Sequence, residues 1–371
     1  MKFGQKYIGL DVSKEKIAVA VADEGRDAPR YVGAISHDPG AIRKLIKQLG
    51  DPKDLAFCYE AGPTGYELYR WIVSMGAQCE VIAPSLLPKR PGDQVKTDRR
   101  DALQLAQLYR SGELTSIYVP DRDDEALRDL VRAREDARED LHRARQRLGK
   151  FLLRHHIHHP SHMKKRWTKM YRKWLGTLTF ERKTEQTTFN EYLHAIYEVE
   201  QRQQRLETAM LEQATTGTKA ELVKFVQTLR GIARITAITL VAEIGSFARF
   251  PSPTPLMAYL GLVPREYSSG QSVKRGKMTK AGNKLMRKSI IESAWSYRHK
   301  PAIKGDLAKR LEGMPAEIQV ISWRAQERLH RKYMRMVHKG KPATVAIGAV
   351  ARELVGFLWA AAMVSERPAT T

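Results

Sequence analysis

The sequence predicts an α/β unit at the N-terminus followed by a mainly helical, strongly basic remainder. Three observations predict it. Short apolar runs alternate with segments of helical period over the first 110 residues. A heptad-like apolar pattern opens at Leu127. The charge is lopsided: the chain carries 64 Lys and Arg against 41 Asp and Glu, a net charge of +23, yet residues 1–100 hold 16 basic and 13 acidic side chains. A length of 371 residues fits two or three domains at roughly 150 residues each. An apolar fraction of 42% supports real cores and excludes wholesale disorder. Two cysteines exclude a disulfide scaffold and fit a reducing, cytoplasmic compartment. The first apolar run is too short for a signal peptide. The most apolar stretch, residues 343–364, is broken by Arg352 and Glu353 and reads as a packed helix rather than a membrane span. A charge this positive points to a polyanion, most commonly nucleic acid.

The N-terminal elements follow in order. YIGLDV (7–12) and KIAVAVA (16–22) read as strands, and residues 31–35 as a weaker third. Residues 40–49 have helical spacing through Ile42, Leu45, Ile46 and Leu49. LAFCY (55–59) is a strand running into Glu60, 64–75 a helix, 78–83 a strand and 98–109 a helix. The order β-β-β-α-β-α-β-α is the ribonuclease-H-like one, a mixed sheet with helices on its faces.

Four carboxylates fall at meaningful places. Asp11 closes the first strand and Glu60 the fourth, while Asp98 and Asp101 are three apart at a helix start and share a face. In this strand order the first and fourth strands are neighbours and the last helix crosses their ends, so all four acids can converge. Convergent carboxylates repel unless cations neutralise them; Mg²⁺ prefers carboxylate oxygen, and a pair of such ions about 3.5–4 Å apart serves phosphoryl transfer. Taken singly, each acid has an ordinary reading. Asp98 or Thr97 can cap the helix, Asp101 can answer its dipole and Asp11 can sit in a turn.

In the middle, Leu127, Leu141 and Leu148 lie on one seam, with Arg134 as a defect, and Leu130, Ala137, Ala144 and Phe151 on another. Tyr192, Ile196, Val199, Leu206 and Met210, interrupted by Gln203, mark a second long helix. These predict two helices folded back on each other with a basic tip. Residues 141–180 hold 11 Lys and Arg, six of the 11 histidines and no acid. Trp167, Tyr171 and Trp174 interleave with Lys164, Lys165, Arg166, Lys169, Arg172 and Lys173, a pattern suited to phosphate contact and base stacking. His155, His156, His158, His159 and His162 have irregular spacing and no Cys or acid close by, which fits backbone contact better than a metal cluster.

Nearer the C-terminus, residues 222–229 and 235–244 read as two helices around the turn Arg230-Gly231, a helix–hairpin–helix pattern. Ala233 stands where a second glycine is usual, so packing is the safer role. Then comes Ser268-Ser269-Gly270 among Arg265, Lys274, Arg275, Lys277 and Lys280. It reads either as an ordinary polar loop or as a nucleophile loop, with Gly270 turning the backbone to expose Ser269 and cations to receive phosphate charge.

Taken together, residues 7–16, Glu60-Ala61-Gly62-Pro63-Thr64-Gly65-Tyr66, Lys96-Thr97-Asp98-Arg99-Arg100-Asp101-Ala102, and Ser268-Ser269-Gly270 with Thr279-Lys280-Ala281-Gly282-Asn283 resemble the DEDD transposases of bacterial insertion sequences. The resemblance covers nearly the whole chain and is weakest over 164–191. It implies a RuvC-like domain over 1–120, a coiled-coil linker with a basic aromatic insertion over 121–215, and a mainly α transposase domain over 216–371. It implies Asp11, Glu60, Asp98 and Asp101 as ligands of Mg²⁺, two ions in all, and Ser269 as a nucleophile forming a phosphoserine link to DNA, with Ser268 the alternative. Implied partners are donor and target DNA, a structured noncoding bridge RNA from the element, and further copies of the chain up to a tetramer. No membrane is implied, and the setting is the bacterial cytoplasm at the nucleoid. Lys164, Lys165, Arg166, Trp167, Lys169, Arg172, Lys173, Lys274, Arg275, Lys277 and Lys280 are the expected nucleic-acid contacts. The reading is an RNA-guided, Mg²⁺-dependent serine DNA recombinase. Its rivals are a junction-resolving nuclease using metal-activated water and a non-catalytic basic nucleic-acid-binding protein.

Overall fold

A computed structural model describes residues 5–88, 97–269 and 272–366. The chain forms two compact units, Met1–Pro120 and Asp121–Thr371. The first contains β1 (Lys6–Val12), β2 (Lys16–Asp23), β3 (Arg30–Ser36), α1 (Pro39–Leu49), β4 (Leu55–Glu60), α2 (Glu67–Ser74), β5 (Gln78–Ile82) and α3 (Asp98–Arg110). The sheet order is β3-β2-β1-β4-β5. β1 runs antiparallel to β2 and parallel to β4, which is parallel to β5. The element order is the expected one. The helix after Glu60 starts three residues later than its spacing suggests, because residues 63–66 form a turn. Gly65 has φ +68°, and its carbonyl accepts from the Tyr59 hydroxyl at 3.1 Å.

The two faces of this sheet differ in residue size, and that difference decides what covers them. Ile8, Leu10, Ile17, Val19, Val21, Phe57 and Tyr59 face one way and bury against Ile42, Leu45 and Ile46 of α1 and Leu68 and Ile72 of α2. Alternation turns Gly9, Ala18, Ala20, Ala22 and Cys58 the other way. There Ala102 and Ala106 of α3 pack on the alanines of β2. A Cβ on Gly9 would overlap the Ala102 carbonyl and the Ala106 amide. The helix backbone therefore rests on the β1 backbone.

The second unit opens with a pair of long helices, α4 (Arg122–Arg154) and α6 (Lys183–Thr216). Arg134–Glu207, Arg202–Asp140 and Arg145–Glu200 link them at 2.6, 3.3 and 2.8 Å, and the falling partner numbers show that they run antiparallel. The two breaks in the apolar seams meet: Arg134 and Gln203 both donate to Glu207. They form a polar layer between apolar ones, a device that penalises slipped registers.

The tip carries α5 (Lys169–Leu175). Tyr171 and Leu175 are buried against Leu148, Phe151 and Phe189. Trp167 is half-buried between the Arg145 guanidinium, 4.8 Å from its ring centroid, and Tyr171 at 5.4 Å. His155 and His159 pack on Phe151 and Tyr171. The aromatics that the sequence pattern offers for base stacking thus build a small core, while Lys164, Lys165, Arg166, Lys169 and Lys173 stay exposed. Arg172 is engaged. It and Arg145 both bind Glu200, at 2.6 and 2.8 Å, and the Arg172 hydrogen bond holds that carboxyl below the usual glutamate range.

The rest comprises α7 (Ala220–Val226), α8 (Arg234–Ile244), α9 (Pro253–Tyr259), β6 (Pro264–Ser269), β7 (Ser272–Met278), α10 (Lys284–Ala294), α11 (Asp306–Leu311), α12 (Ala316–His338) and α13 (Ala343–Glu366). Gly231, φ +86°, lies so close to the Ser293 carbonyl that a side chain would overlap it, so the turn before α8 is a packing contact. α13 is long and apolar enough to cross a membrane. It instead buries Ile347, Val350, Leu354, Val355 and Leu358 in the unit's core, against α7, α9, α10 and α12.

Two outcomes test this packing. Gly9→Ala must push α3 off β1; overfilling a packed core costs about 1–3 kcal/mol, and denaturant unfolding should show a loss of that size. A wild-type midpoint would mean that α3 does not rest on the strand. Glu200→Gln should loosen the tip by about 1–2 kcal/mol. A carboxyl held low in the folded state adds stability above its unfolded pKa and loses it as pH falls through the folded value. Protection factors of the α5 amides, with the intrinsic pH dependence of exchange divided out, should therefore fall on acidification in the wild type and depend less on pH in the variant.

Candidate active site and nucleic-acid surfaces

The C-terminal ends of β1 and β4 lie side by side. Leu10 pairs with Tyr59 in the parallel register, so Asp11 and Glu60 follow as the next neighbours. Asp11 is two residues beyond Gly9, and Glu60 two beyond Cys58, whose thiol meets the Leu105 carbonyl at 3.8 Å. Both acids therefore belong to the sheet face that α3 covers. The direction of α3 follows from two contacts. Tyr7 stacks edge-on with Tyr109 at 5.7 Å, and Gly9 meets Ala102 and Ala106. Going up β1 thus means going back along α3, and the start of α3 lies toward the Asp11 end of β1. Asp98 and Asp101 precede Ala102 and Leu105 by four residues each, so they continue the buried seam of α3 beyond its apolar part.

Thr97 caps the helix, accepting from the Arg100 amide, which leaves Asp98 as the first helical residue rather than the cap. The backbone thus gathers the four acids at one end of one sheet face. Their side chains do not close round a point. Among the described residues, no three His, Cys, Asp or Glu side chains form a group able to hold one metal ion. The set nonetheless suits a hard divalent cation in donor chemistry, four carboxylates and no soft ligand, and in backbone placement. Asp98 is exposed, and Asp11, Glu60 and Asp101 are partly exposed.

Ser269 is the last residue of β6, and its Cα pairs with Ser272 of β7. The expected loop is a two-stranded hairpin with Ser269 exposed at its tip. Lys274, Lys277 and Lys280 are exposed along or just after β7. Gly270, Lys96 and the side chains of Ser268 and Arg275 lie outside the described residues. The hairpin lacks alternating apolar residues, the usual strand signal, which is why the sequence reads as loop.

What holds the hairpin is its base. The Thr279 amide donates to the Val263 carbonyl at 2.9 Å and the Lys280 amide to that of Gly261 at 3.1 Å. Lys280 has φ +57°, an uncommon conformation for a residue with a side chain. Gly261 lies against the Lys280-Ala281 backbone and Gly282 against the Tyr259 carbonyl, too close for any Cβ. Arg287 donates to the Leu260 and Ala281 carbonyls at 3.1 and 2.8 Å. Asn283 caps α10 and donates to Glu243 at 2.7 Å. Glu243 is buried in α8 and accepts both arms of Arg132 from α4, at 2.9 and 3.1 Å. Sequence reading passed over this triad. A single acid inside the apolar run ITLVAEI was the available signal, since a buried carboxylate needs a cation or donors.

A family model described as a transposase, of the DEDD type, matches residues 8–157, and one described as "Transposase IS116/IS110/IS902 family" matches residues 223–307. The chain is 44% identical over 362 residues to "Putative transposase y4qE" of Sinorhizobium fredii, covering 97% of this chain and 89% of that one. It is 33% identical over 339 residues to "Transposase for insertion sequence element IS1533" of Leptospira borgpetersenii, covering 90% and 97%. With the β3-β2-β1-β4-β5 sheet, the matched DEDD type makes the N-terminal unit ribonuclease-H-like. Conserved over almost its full length in these relatives, the chain belongs to the IS110 family of insertion-sequence transposases.

Proposed function

We propose that this transposase is an RNA-guided serine DNA recombinase that cleaves and rejoins strands at a composite site. Asp11, Glu60, Asp98 and Asp101 hold Mg²⁺, as two ions, and Ser269 is the nucleophile. The observation that carries the reading is the common end of one sheet face to which the β1–β4 register and the direction of α3 bring all four acids. Bound there, Mg²⁺ supplies neutralising charge to the acids and to the scissile phosphate.

The chain's own residues do the remaining work. Gly9 lets α3 approach, which sets Asp98 and Asp101 over the ends of β1 and β4. The hairpin presents Ser269 at its exposed tip. In the cleavage step the Ser269 hydroxyl loses its proton, its Oγ bonds to phosphorus, and the bond from phosphorus to the leaving deoxyribose oxygen breaks. That oxygen takes up a proton. Attack by a deoxyribose hydroxyl reverses the step, so the phosphodiester energy is conserved in the phosphoserine and rejoining needs no ATP. Lys274, Lys277 and Lys280 are placed along the hairpin to receive phosphate charge. The acids belong to one unit and Ser269 to the other, so we assign their meeting to the assembled complex, a dimer to tetramer in which subunits complete each other's sites.

The same reading divides the chain into a RuvC-like domain (1–120), a coiled-coil linker (121–215) and a transposase domain (216–371). It gives the exposed cations Lys164, Lys165, Arg166, Lys169 and Lys173 of the tip to the phosphate backbone of the guide RNA or DNA. Trp167 and Arg172, which also pack the tip, belong to the same proposed contact surface.

Asp11→Ala, Glu60→Ala, Asp98→Ala and Asp101→Ala should each reduce Mg²⁺-dependent strand cleavage by 100-fold or more, while filter binding of nucleic acid stays near wild type; that factor is an order of magnitude, about 2.7 kcal/mol of barrier. Wild-type cleavage by any one of them removes that residue from the ligand set.

Ser269→Ala should bind nucleic acid and form no covalent adduct. The assay uses end-labelled suicide DNA on a gel that retains protein–DNA adducts. Cleavage without adduct in the wild type assigns the attack to water. An adduct that survives Ser269→Ala but not Ser268→Ala moves the nucleophile back by one residue.

A further inference from the structure

We propose that the exposed arginine row of α12, formed by Arg324, Arg331 and Arg335, is a docking track for the sugar-phosphate backbone of duplex DNA. The three residues are seven and four apart, so they share one side of the helix. At 1.5 Å per residue the row spans about 16 Å. All three are exposed, and none makes an ion pair with a described carboxylate. Their helical neighbours behave differently. Arg328 and Lys332 bind Glu353 of α13 at 3.2 and 2.7 Å. Arg328, four residues after Arg324 and three before Arg331, lies in the same stripe; it stays largely exposed while Glu353 holds it, so the row of solvent-facing cations contains one protein ion pair.

An uncompensated row has a cost. Arg331 and Arg335 are i,i+4 on one helix, and like charges at that spacing destabilise it by a few tenths of a kcal/mol, about 0.2–0.5. Glu327 stands within the row and pairs with none of its arginines. The surface is also held rigid from below. The side-chain oxygen of buried Gln326 accepts from the Ala302 amide at 3.0 Å and from Arg230 at 3.3 Å. His330 Nδ1 meets the Tyr297 carbonyl at 3.1 Å. These contacts seat residues 297–302 against α12. Pro301 then forms one wall of a shallow hollow of about 510 Å³, shared with Met334, Arg331 and Arg335.

The chemistry favours duplex DNA. A guanidinium fork fits two phosphate oxygens. Duplex DNA carries a charge about every 1.7 Å of axis with both strands counted, so 16 Å of duplex holds about nine phosphates for three arginines. A single-strand platform interleaves rings with cations. Here one exposed ring, Trp323, stands at the end of the row.

The test is a titration of the full chain with duplex DNA at several salt concentrations, in chelator so that no strand is cut. Arg324→Gln/Arg331→Gln/Arg335→Gln should lower the magnitude of the slope of log K against log salt by about 2 to 3, near 0.9 per lost contact. Glutamine keeps helix propensity, so circular dichroism should not change. Glu327→Gln removes the one acid of the row and should tighten binding. A wild-type slope in the triple variant overturns the proposal, as does a slope change on structured RNA with none on duplex DNA, or weaker duplex binding by Glu327→Gln.

Discussion

The contact between two backbones, α3 on β1, is the constraint on which the N-terminal unit depends. It exists because one sheet face is paved with glycine and alanine while the other carries leucine, isoleucine, valine and aromatic rings. Large residues on both faces would hold α3 several ångströms away, and the first turn of that helix would then lie away from the strand ends. The cost of the close fit is a thin layer. Ala18, Ala20, Ala22, Ala102 and Ala106 bury little area each, so the α1–α2 face supplies most of the hydrophobic stabilisation. The sheet therefore separates its tasks by face, with stability on one side and positioning on the other.

The second unit solves a related problem with charge. Its hairpin is almost all polar and cannot bury itself, so its position has to come from its base. Glu243 provides that position. It is a carboxylate inside an apolar helix, compensated by Arg132 from the long helix pair and by Asn283 from the segment after the hairpin. The Glu243 carboxylate is buried while Arg132 is half exposed, so removing one of its donors costs about 1–3 kcal/mol, enough for this link to resist drift. The glycine crossings at Gly261 and Gly282 close the other side. A flexible-looking, cation-rich stretch is thereby anchored to three helices.

Much of the first unit was legible because its signals are local. Alternation marks β1 and β2, the spacing of Ile42, Leu45, Ile46 and Leu49 marks α1, and acids at strand ends stand out against apolar runs. The order of elements then carries the topology. Legibility failed where a residue's role depends on distant partners. Trp167, Tyr171 and Trp174 have the composition of a base-stacking platform, yet Tyr171 lies in a core that Phe151 and Phe189 complete. Arg134 and Gln203 look like defects in two separate heptads, and only pairing the helices shows that both serve Glu207. β6 and β7 have no apolar stripe because neither face of the ribbon is buried by a full layer. For the candidate site, backbone position was readable from strand order. The rotamers of the four acids were not, since a rotamer is set by neighbours that only the folded chain brings together.

The placement of α13 has a consequence for how the chain is made. Every other helix of the second unit precedes it, yet Ile347, Val350, Leu354 and Leu358 lie at the centre of that unit's core. On a ribosome the N-terminal unit can fold while synthesis continues. The C-terminal core stays unfilled until this helix emerges, leaving a greasy cleft between α7, α9, α10 and α12. Messages or nascent chains cut short before residue 343 therefore yield a polypeptide with a finished sheet domain and a sticky, chaperone-binding remainder. Competence of the second unit waits on the synthesis of α13.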